Sequence, residues 1–427
     1  MPKKVLIITY YWPPAGGPGV QRWLKFVKYL PEFGIEPIVY CPENATYPLL
    51  DDSLQKEVSS YITILKQPIK EPYKLAGLFS KKSKTISKGI IKDKKKQGLV
   101  EKLMLYIRGN YFIPDARKNW IKPSVDYLKN YIETNQIDTI ITTGPPHSLH
   151  LIGLQLKAEL NLRWIADFRD PWTTIGYHKK LRLTKASEAK HLQLESQVLK
   201  TADDLLVTSF NTKREFSAKT TKPITVITNG FDDETVSVEG LDKKFTLAHI
   251  GSLLSERNPQ ILWQVLSELI KENNEFAKHF ELTLVGAVGE SILESLSIYG
   301  LKAHTNLVGY VSHDEALVYQ HKSQVLLLVE INHNDTKAII PGKIFEYFNA
   351  KRPIIAIGPN GSDVESIIHQ TNAGHYYLYN EKEALKQRVL NHFNAYLNQY
   401  LHSVAVDIEQ YHRRNLTKQL AETLLKS

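Results

Sequence analysis

Apolar and polar positions follow two rhythms along this chain. Short runs rich in β-branched residues recur at 5–9, 36–40, 61–65, 139–143, 164–168, 205–208 and 225–228. Between them apolar residues return every three or four positions, as at Val20, Trp23, Leu24, Val27 and Leu30. Continuously apolar strands alternating with amphipathic helices predict an α/β fold with a doubly wound parallel sheet. A polar, turn-rich stretch at 229–244 reads as a linker. A second series of strands follows at 246–250, 282–285, 307–311, 325–329 and 354–357. The expected organisation is two facing Rossmann-like domains, 1–230 and 231–380. The helical pattern of 381–427 is expected to pack back toward the first domain. Ligands of such sheets bind at the carboxyl ends of strands, so the site is expected in the cleft between domains.

Composition narrows the function classes. The 427 residues include one cysteine, Cys41, which excludes an internal disulfide framework and fits a reducing compartment. No apolar run approaches the roughly 20 residues of a membrane-spanning helix. Lys3-Lys4 before an apolar run imitates a signal peptide, but Trp12-Pro13-Pro14 arrives too early for one, so the expected location is the cytoplasm. The net charge is +9, and the stretch 81–102 carries most of it, with nine lysines against Asp93 and Glu101. The basic balance is therefore local, and nucleic acid is not an expected partner. Apolar residues interleave with these lysines across an insertion spanning about 74–110. It reads either as a solvated insertion or as short helices lying peripherally on the inner face of an anionic membrane.

Three strand–turn–helix junctions carry candidate chemistry. After the first strand comes Trp12-Pro13-Pro14-Ala15-Gly16-Gly17-Pro18-Gly19, a glycine-rich loop that lets backbone N–H groups approach an anion. Its spacing differs from the G-x-G-x-x-G of dinucleotide enzymes, which weakens an oxidoreductase reading. In the second half, His249-Ile250-Gly251-Ser252 leads to Arg257, where a guanidinium can hold a phosphate or simply face solvent. The densest stretch contains Pro341-Gly342-Lys343 and then Glu346. Free N–H groups at a helix start, with a lysine beside them, suit a diphosphate. A carboxylate one turn further can accept two ribose hydroxyls, or be an ordinary first-turn glutamate.

Together these segments resemble glycosyltransferase family 4, the retaining nucleotide-sugar transferases of the GT-B fold. The resemblance rests on the Tyr-Tyr-Trp-Pro-Pro-x-Gly-Gly loop, Gly144-Pro145-Pro146-His147-Ser148, Ala166-Asp167-Phe168-Arg169-Asp170-Pro171-Trp172, Gly251 to Asn258, and Pro341 to Tyr347. It implies that Gly16, Gly17, Arg257, Lys343 and the Pro341-Gly342 turn surround the donor diphosphate. It also implies that Glu346 holds the ribose, that Gly309-Tyr310 lies near the base, and that His147 approaches the transferred sugar. Asp167, Arg169 and Asp170 fall on the acceptor side, where an internal salt bridge and direct acceptor contact both remain open. Arg22 and Trp12 could border the cleft. The family's acidic residue eight positions before the ribose glutamate is Ala338 here, with Glu330 and Asp335 as nearby substitutes, and an arginine often found after the glycine turn is Ser252.

The expected reaction transfers a sugar from a nucleoside diphosphate to the hydroxyl of a saccharide or lipid-linked acceptor, as in cell-surface polysaccharide or glycolipid synthesis. Arg257, Lys343 and backbone N–H groups would stabilise the leaving diphosphate. No Asp-x-Asp triplet and no His/Cys cluster suggests a metal, so no cofactor is expected. A sugar-nucleotide epimerase of the same fold and a non-enzymatic polyanion-binding module are the alternatives.

Overall fold

The computed structural model describes residues 2–71, 90–91, 99–179, 181–233 and 236–426. Its first eight strands are β1 (Lys3–Ile8), β2 (Ile35–Pro42), β3 (Thr63–Gln67), β4 (Ile90–Ile91), β5 (Thr139–Gly144), β6 (Arg163–Phe168), β7 (Asp204–Val207) and β8 (Ile224–Val226). The remaining seven are β9 (Phe245–Ile250), β10 (Phe280–Val285), β11 (Val288–Gly289), β12 (Thr305–Gly309), β13 (Val325–Val329), β14 (Ile354–Gly358) and β15 (Gly374–Leu378). The chain divides into two compact units. One comprises Met1–Ser80, Gln97–Gly230 and Tyr411–Ser427; the other comprises Lys81–Lys96 and Phe231–Gln410.

The first unit has a seven-stranded parallel sheet in the order β3-β2-β1-β5-β6-β7-β8. Alternation along β1 sends Leu6 and Ile8 to one face and Val5 and Ile7 to the other. The first face packs against Trp120, Leu128 and Trp164, the second against Trp23, Leu24 and the last helix through Leu416 and Leu420. The helix Pro18–Tyr29 starts at a proline directly after Gly17, whose φ of 98° suits glycine.

The second unit has a six-stranded parallel sheet in the order β12-β10-β9-β13-β14-β15. Every residue of β13 is buried, as its unbroken Val-Leu-Leu-Leu-Val requires of a central strand. A short parallel pair joins β4 to β11. The strand expected at 307–311 is instead β12, two residues earlier at Thr305–Gly309, and Gly309 turns the chain at φ 82°.

One sequence expectation changes here. The segment 381–427 does not act as one block. The helix Lys382–Leu397 belongs to the second unit, because Leu385, Val389 and Phe393 form an i, i+4, i+8 stripe into the core around Phe245 and Phe276. Only the helix Arg413–Leu425 joins the first unit, through Leu416, Leu420 and Leu424. Most of the lysine-rich stretch 81–102 lies outside the described residues. The helix Leu99–Tyr111 beyond it is described, and it exposes Leu103 (58%), Tyr106, Ile107 and Tyr111 (65%).

Candidate functional site

Strand order reverses between β1 and β5 in the first unit and between β9 and β13 in the second. Successive connections leave in opposite directions at such a point, opening a crevice at the carboxyl ends of the strands.

In the first unit the loop after β1 folds back along residues 49–51. Gly16 donates its N–H to the Leu49 carbonyl at 3.0 Å, and a Cβ on Gly16 would press at 3.1 Å on Asp51 and Leu49. A pocket of about 310 Å³ opens here, lined by Tyr11, Gly16, Gly17, Gly19, Arg169 and Asp170 among others. Arg169 is fixed by the carbonyls of Gly144 and Pro145, lies 5.5 Å from the Tyr11 ring centre, and fills the space where Gly19 lacks a Cβ. Burial lowers its guanidinium pKa and raises that of the half-buried Asp170 carboxyl.

His147 is only 6% exposed and stacks on Trp172 with ring centres 4.7 Å apart. Among the described residues neither ring nitrogen has a hydrogen-bond partner. Burial, then the neighbouring His150 and Arg169, hold its pKa well below the ordinary value. The next residue begins a helix, and Asp115 accepts the N–H and hydroxyl of Ser148 at 2.8 and 2.9 Å. Thirty-three residues separate these partners, so local motif reading had no means of finding Asp115.

Asp167 is not an acceptor contact. It is completely buried and accepts hydrogen bonds from Arg22 and Trp23 at 2.9 Å and from Thr143 at 2.8 Å. Arg22 also donates to the carbonyls of Ile227 and Thr228, so it and the buried Trp12 are interior groups and do not border an opening. β6 ends at Phe168, so Arg169 does not continue the strand that holds Asp167. Arg169 then turns with its own N–H on the Gly144 carbonyl.

In the second unit three glycines with positive φ end adjacent strands. They are Gly251 (103°), Gly286 (110°) and Gly309 (82°). A Cβ on Gly286 would lie 2.8 Å from the Gly251 backbone, and Gly286 donates to the Gly309 carbonyl at 2.6 Å. Tyr310, next along, is 85% exposed. Lys343 opens the helix Lys343–Ala350, at whose start no side chain caps the N–H groups. Its amine lies 3.0 Å from His249 Nε2, above the Gly251 turn. Loss of hydration and then nearby Arg257 bring the Lys343 amine down to about 7, against the opposing pull of Glu346. Among the described residues Arg257 makes no side-chain hydrogen bond or ion pair, and its Nε is buried.

Glu346 is half-buried and accepts from Gln320 at 2.8 Å. Glu330, expected as a substitute acid for Ala338, is instead an internal group. It accepts from Ser362 and Tyr376 at 2.7 Å each, and burial pushes its carboxyl up to about 7. Asp335 pairs with His333 at 3.6 Å.

The sequence matches no family model and no curated protein. The structure resembles solved GT-B proteins over its whole length. HepE from Anabaena, crystallised with UDP, gives a TM-score of 0.62 at 12% identity, with 99% of each chain covered. The lipopolysaccharide outer core galactosyltransferase WaaB gives 0.58 at 14% identity, again with 99% of each chain covered. A Listeria monocytogenes protein named as a UDP-N-acetylglucosamine 2-epimerase gives 0.54 at 12% identity, covering 99% of this chain and 96% of its own. At these identities the likeness establishes the GT-B fold. Among the described residues no helix is long and apolar enough to cross a membrane.

Proposed function

We propose that this protein is a retaining glycosyltransferase of family 4 type, moving a sugar from a nucleoside diphosphate to an acceptor hydroxyl. One observation carries the reading. Arg257 disfavours the charge of Lys343, which stands at an uncapped helix start, and among the described residues neither cation makes an ion pair. Like charges held together in a partly dehydrated place need a counter-charge, and a diphosphate supplies it. Binding of UDP and UDP-glucose by the HepE structures supports a sugar nucleotide as that ligand.

In this reading the diphosphate meets Arg257, Lys343 and the backbone N–H groups of Gly342 and Lys343, and the ribose hydroxyls meet the free oxygen of Glu346. The base lies toward Gly309-Tyr310. Arg169 and Asp170, in the first-unit pocket, serve the acceptor, a saccharide or lipid-linked sugar. The unpartnered His147 nitrogens serve a sugar hydroxyl. Negative charge develops on the diphosphate as the anomeric bond breaks, and fixed cations stabilise it there. The acceptor attacks from the face that the diphosphate leaves, and a phosphate oxygen takes its proton, so configuration is retained.

A peripheral place on the inner face of an anionic membrane fits the exposed apolar residues of Leu99–Tyr111 next to nine lysines. The epimerase among the fold neighbours keeps a second reading open. A thermal-shift screen of nucleotides and sugar nucleotides tests donor binding, since a ligand of the folded state raises the midpoint. Nucleoside diphosphate released only with acceptor present identifies a transferase; sugar isomerised without acceptor identifies an epimerase.

A further inference from the structure

A dehydrated ammonium is usually held by a carboxylate, yet Lys343 is held by an imidazole. The sheet dictates this. Pairing between β9 and β13 stops after Ala248 and Leu326, which leaves the Ile250 N–H and the Leu327 carbonyl without ladder partners. Tyr347 accepts the Ile250 N–H at 3.1 Å, and His249 Nδ1 lies 3.0 Å from the Leu327 oxygen. A carbonyl can only accept, so Nδ1 carries the imidazole proton and Nε2 presents its lone pair. That lone pair receives the Lys343 ammonium at 3.0 Å. The absent Cβ of Gly251 would lie 2.9 Å from the same amine, so the glycine gives the ammonium its place over the turn.

We infer that His249 is a positioning residue for the donor diphosphate, holding the Lys343 ammonium over the Gly251 turn without adding a negative charge. The inference rests on the donor reading above. An aspartate at 249 would hold the amine equally well but cancel the charge that the phosphates need. The charged groups facing Lys343 are Arg257 from the turn after β9 and Glu346 from its own helix, with buried, neutral His249 between. Glu346 is already engaged by Gln320. Among the described residues the cation makes no ion pair, which fits its readiness to lose a proton near about pH 7. A bound diphosphate favours the protonated amine. Affinity should be greatest below that pH and fall as pH rises through it, by at most about tenfold per pH unit.

The test is calorimetric binding of UDP-glucose, GDP-mannose and ADP-glucose between about pH 6 and 9, where their diphosphate diesters do not titrate. The wild type should lose about tenfold in affinity across that range. Lys343→Met should bind weakly with a flat profile. His249→Asp should bind about tenfold more weakly at pH 6, also with a flat profile, because its carboxylate pairs with Lys343. His249→Gln, whose amide oxygen can accept from the amine, should keep the slope. A flat wild-type profile with good binding overturns the inference and leaves the donor site standing, whether or not the His249 variants fold. Wild-type affinity and slope in His249→Asp overturn it too. Failure of all three sugar nucleotides to bind the wild type removes the donor reading, and the inference with it.

Discussion

Gln320 donates a 2.8 Å hydrogen bond to the Glu346 carboxylate, while its own buried amide oxygen has no partner among the described residues. The bond leaves one Glu346 oxygen for a ligand and fixes where it lies. Glu346→Gln should weaken sugar-nucleotide binding by about 1–3 kcal/mol, the cost of a ribose hydroxyl that loses its acceptor. A 2′,3′-dideoxyribose analogue should bind the wild type more weakly and lose little further in the mutant. Losses that simply add would take Glu346 off the ribose.

The Arg22–Asp167 pair predicts a change in stability. Asp167→Ala strands a buried guanidinium and should cost about 3–5 kcal/mol, seen as a lower melting midpoint of the first unit. A direct acceptor contact would instead give normal melting and lost activity.

Gly19 and Arg169 should be coupled. An alanine at 19 overlaps the guanidinium and must displace it from the Gly144 and Pro145 carbonyls. Gly19→Ala should therefore reduce transfer strongly in the wild-type background and have little further effect in Arg169→Ala. Equal losses in the two backgrounds would show that the pocket does not depend on this contact.

Acid should destabilise the fold through histidines that are neutral and buried. Burial takes His150 down to about 3 and His191 and His392 to about 4. Their stability contribution is complete above the unfolded value near 6.5, because both states are then neutral. Below it the unfolded chain binds protons that the folded chain refuses, so stability falls as pH drops toward about 4. Melting midpoints from about pH 8 to 4 should decline accordingly, and a level curve would count against neutral burial of these rings.

Vesicle sedimentation addresses the membrane reading. Replacing Leu103, Tyr106, Ile107 and Tyr111 by serine should reduce binding to anionic vesicles, and salt should weaken what remains. Lysines contribute roughly 1 kcal/mol each near such a surface. Equal sedimentation of the native protein with neutral and anionic vesicles at low salt would exclude it.

Strand–helix alternation made both sheets legible, because apolar runs such as Val325–Val329 belong to strands buried on both faces. The glycine turns were legible because each lies at a strand end, and Lys343 because Pro341-Gly342 mark the start of its helix. Asp115, Gln320 and the tie between His249 and Lys343 escaped notice. Asp115 and Gln320 reach their partners across 33 and 26 positions, and His249 reaches Lys343 across 94, so no spacing rule joins them. Glu330 misled for the opposite reason, and for the same reason both readings of Asp167 stayed open in the sequence. A carboxylate near a strand's end has the same sequence signature whether it faces a ligand or satisfies buried donors.

The last helix also fixes how this chain can be divided. Lys3–Ile8 and Arg413–Leu425 both belong to the first unit, while Phe231–Gln410 departs from it and returns. In connectivity, that long segment is a guest inserted into a host. Tension applied between the two ends is borne by the host, and the guest is spared. Cutting after residue 410 removes Leu416, Leu420 and Leu424 from the layer beneath Trp23, so a deletion at the far end should loosen the unit that contains residue 3.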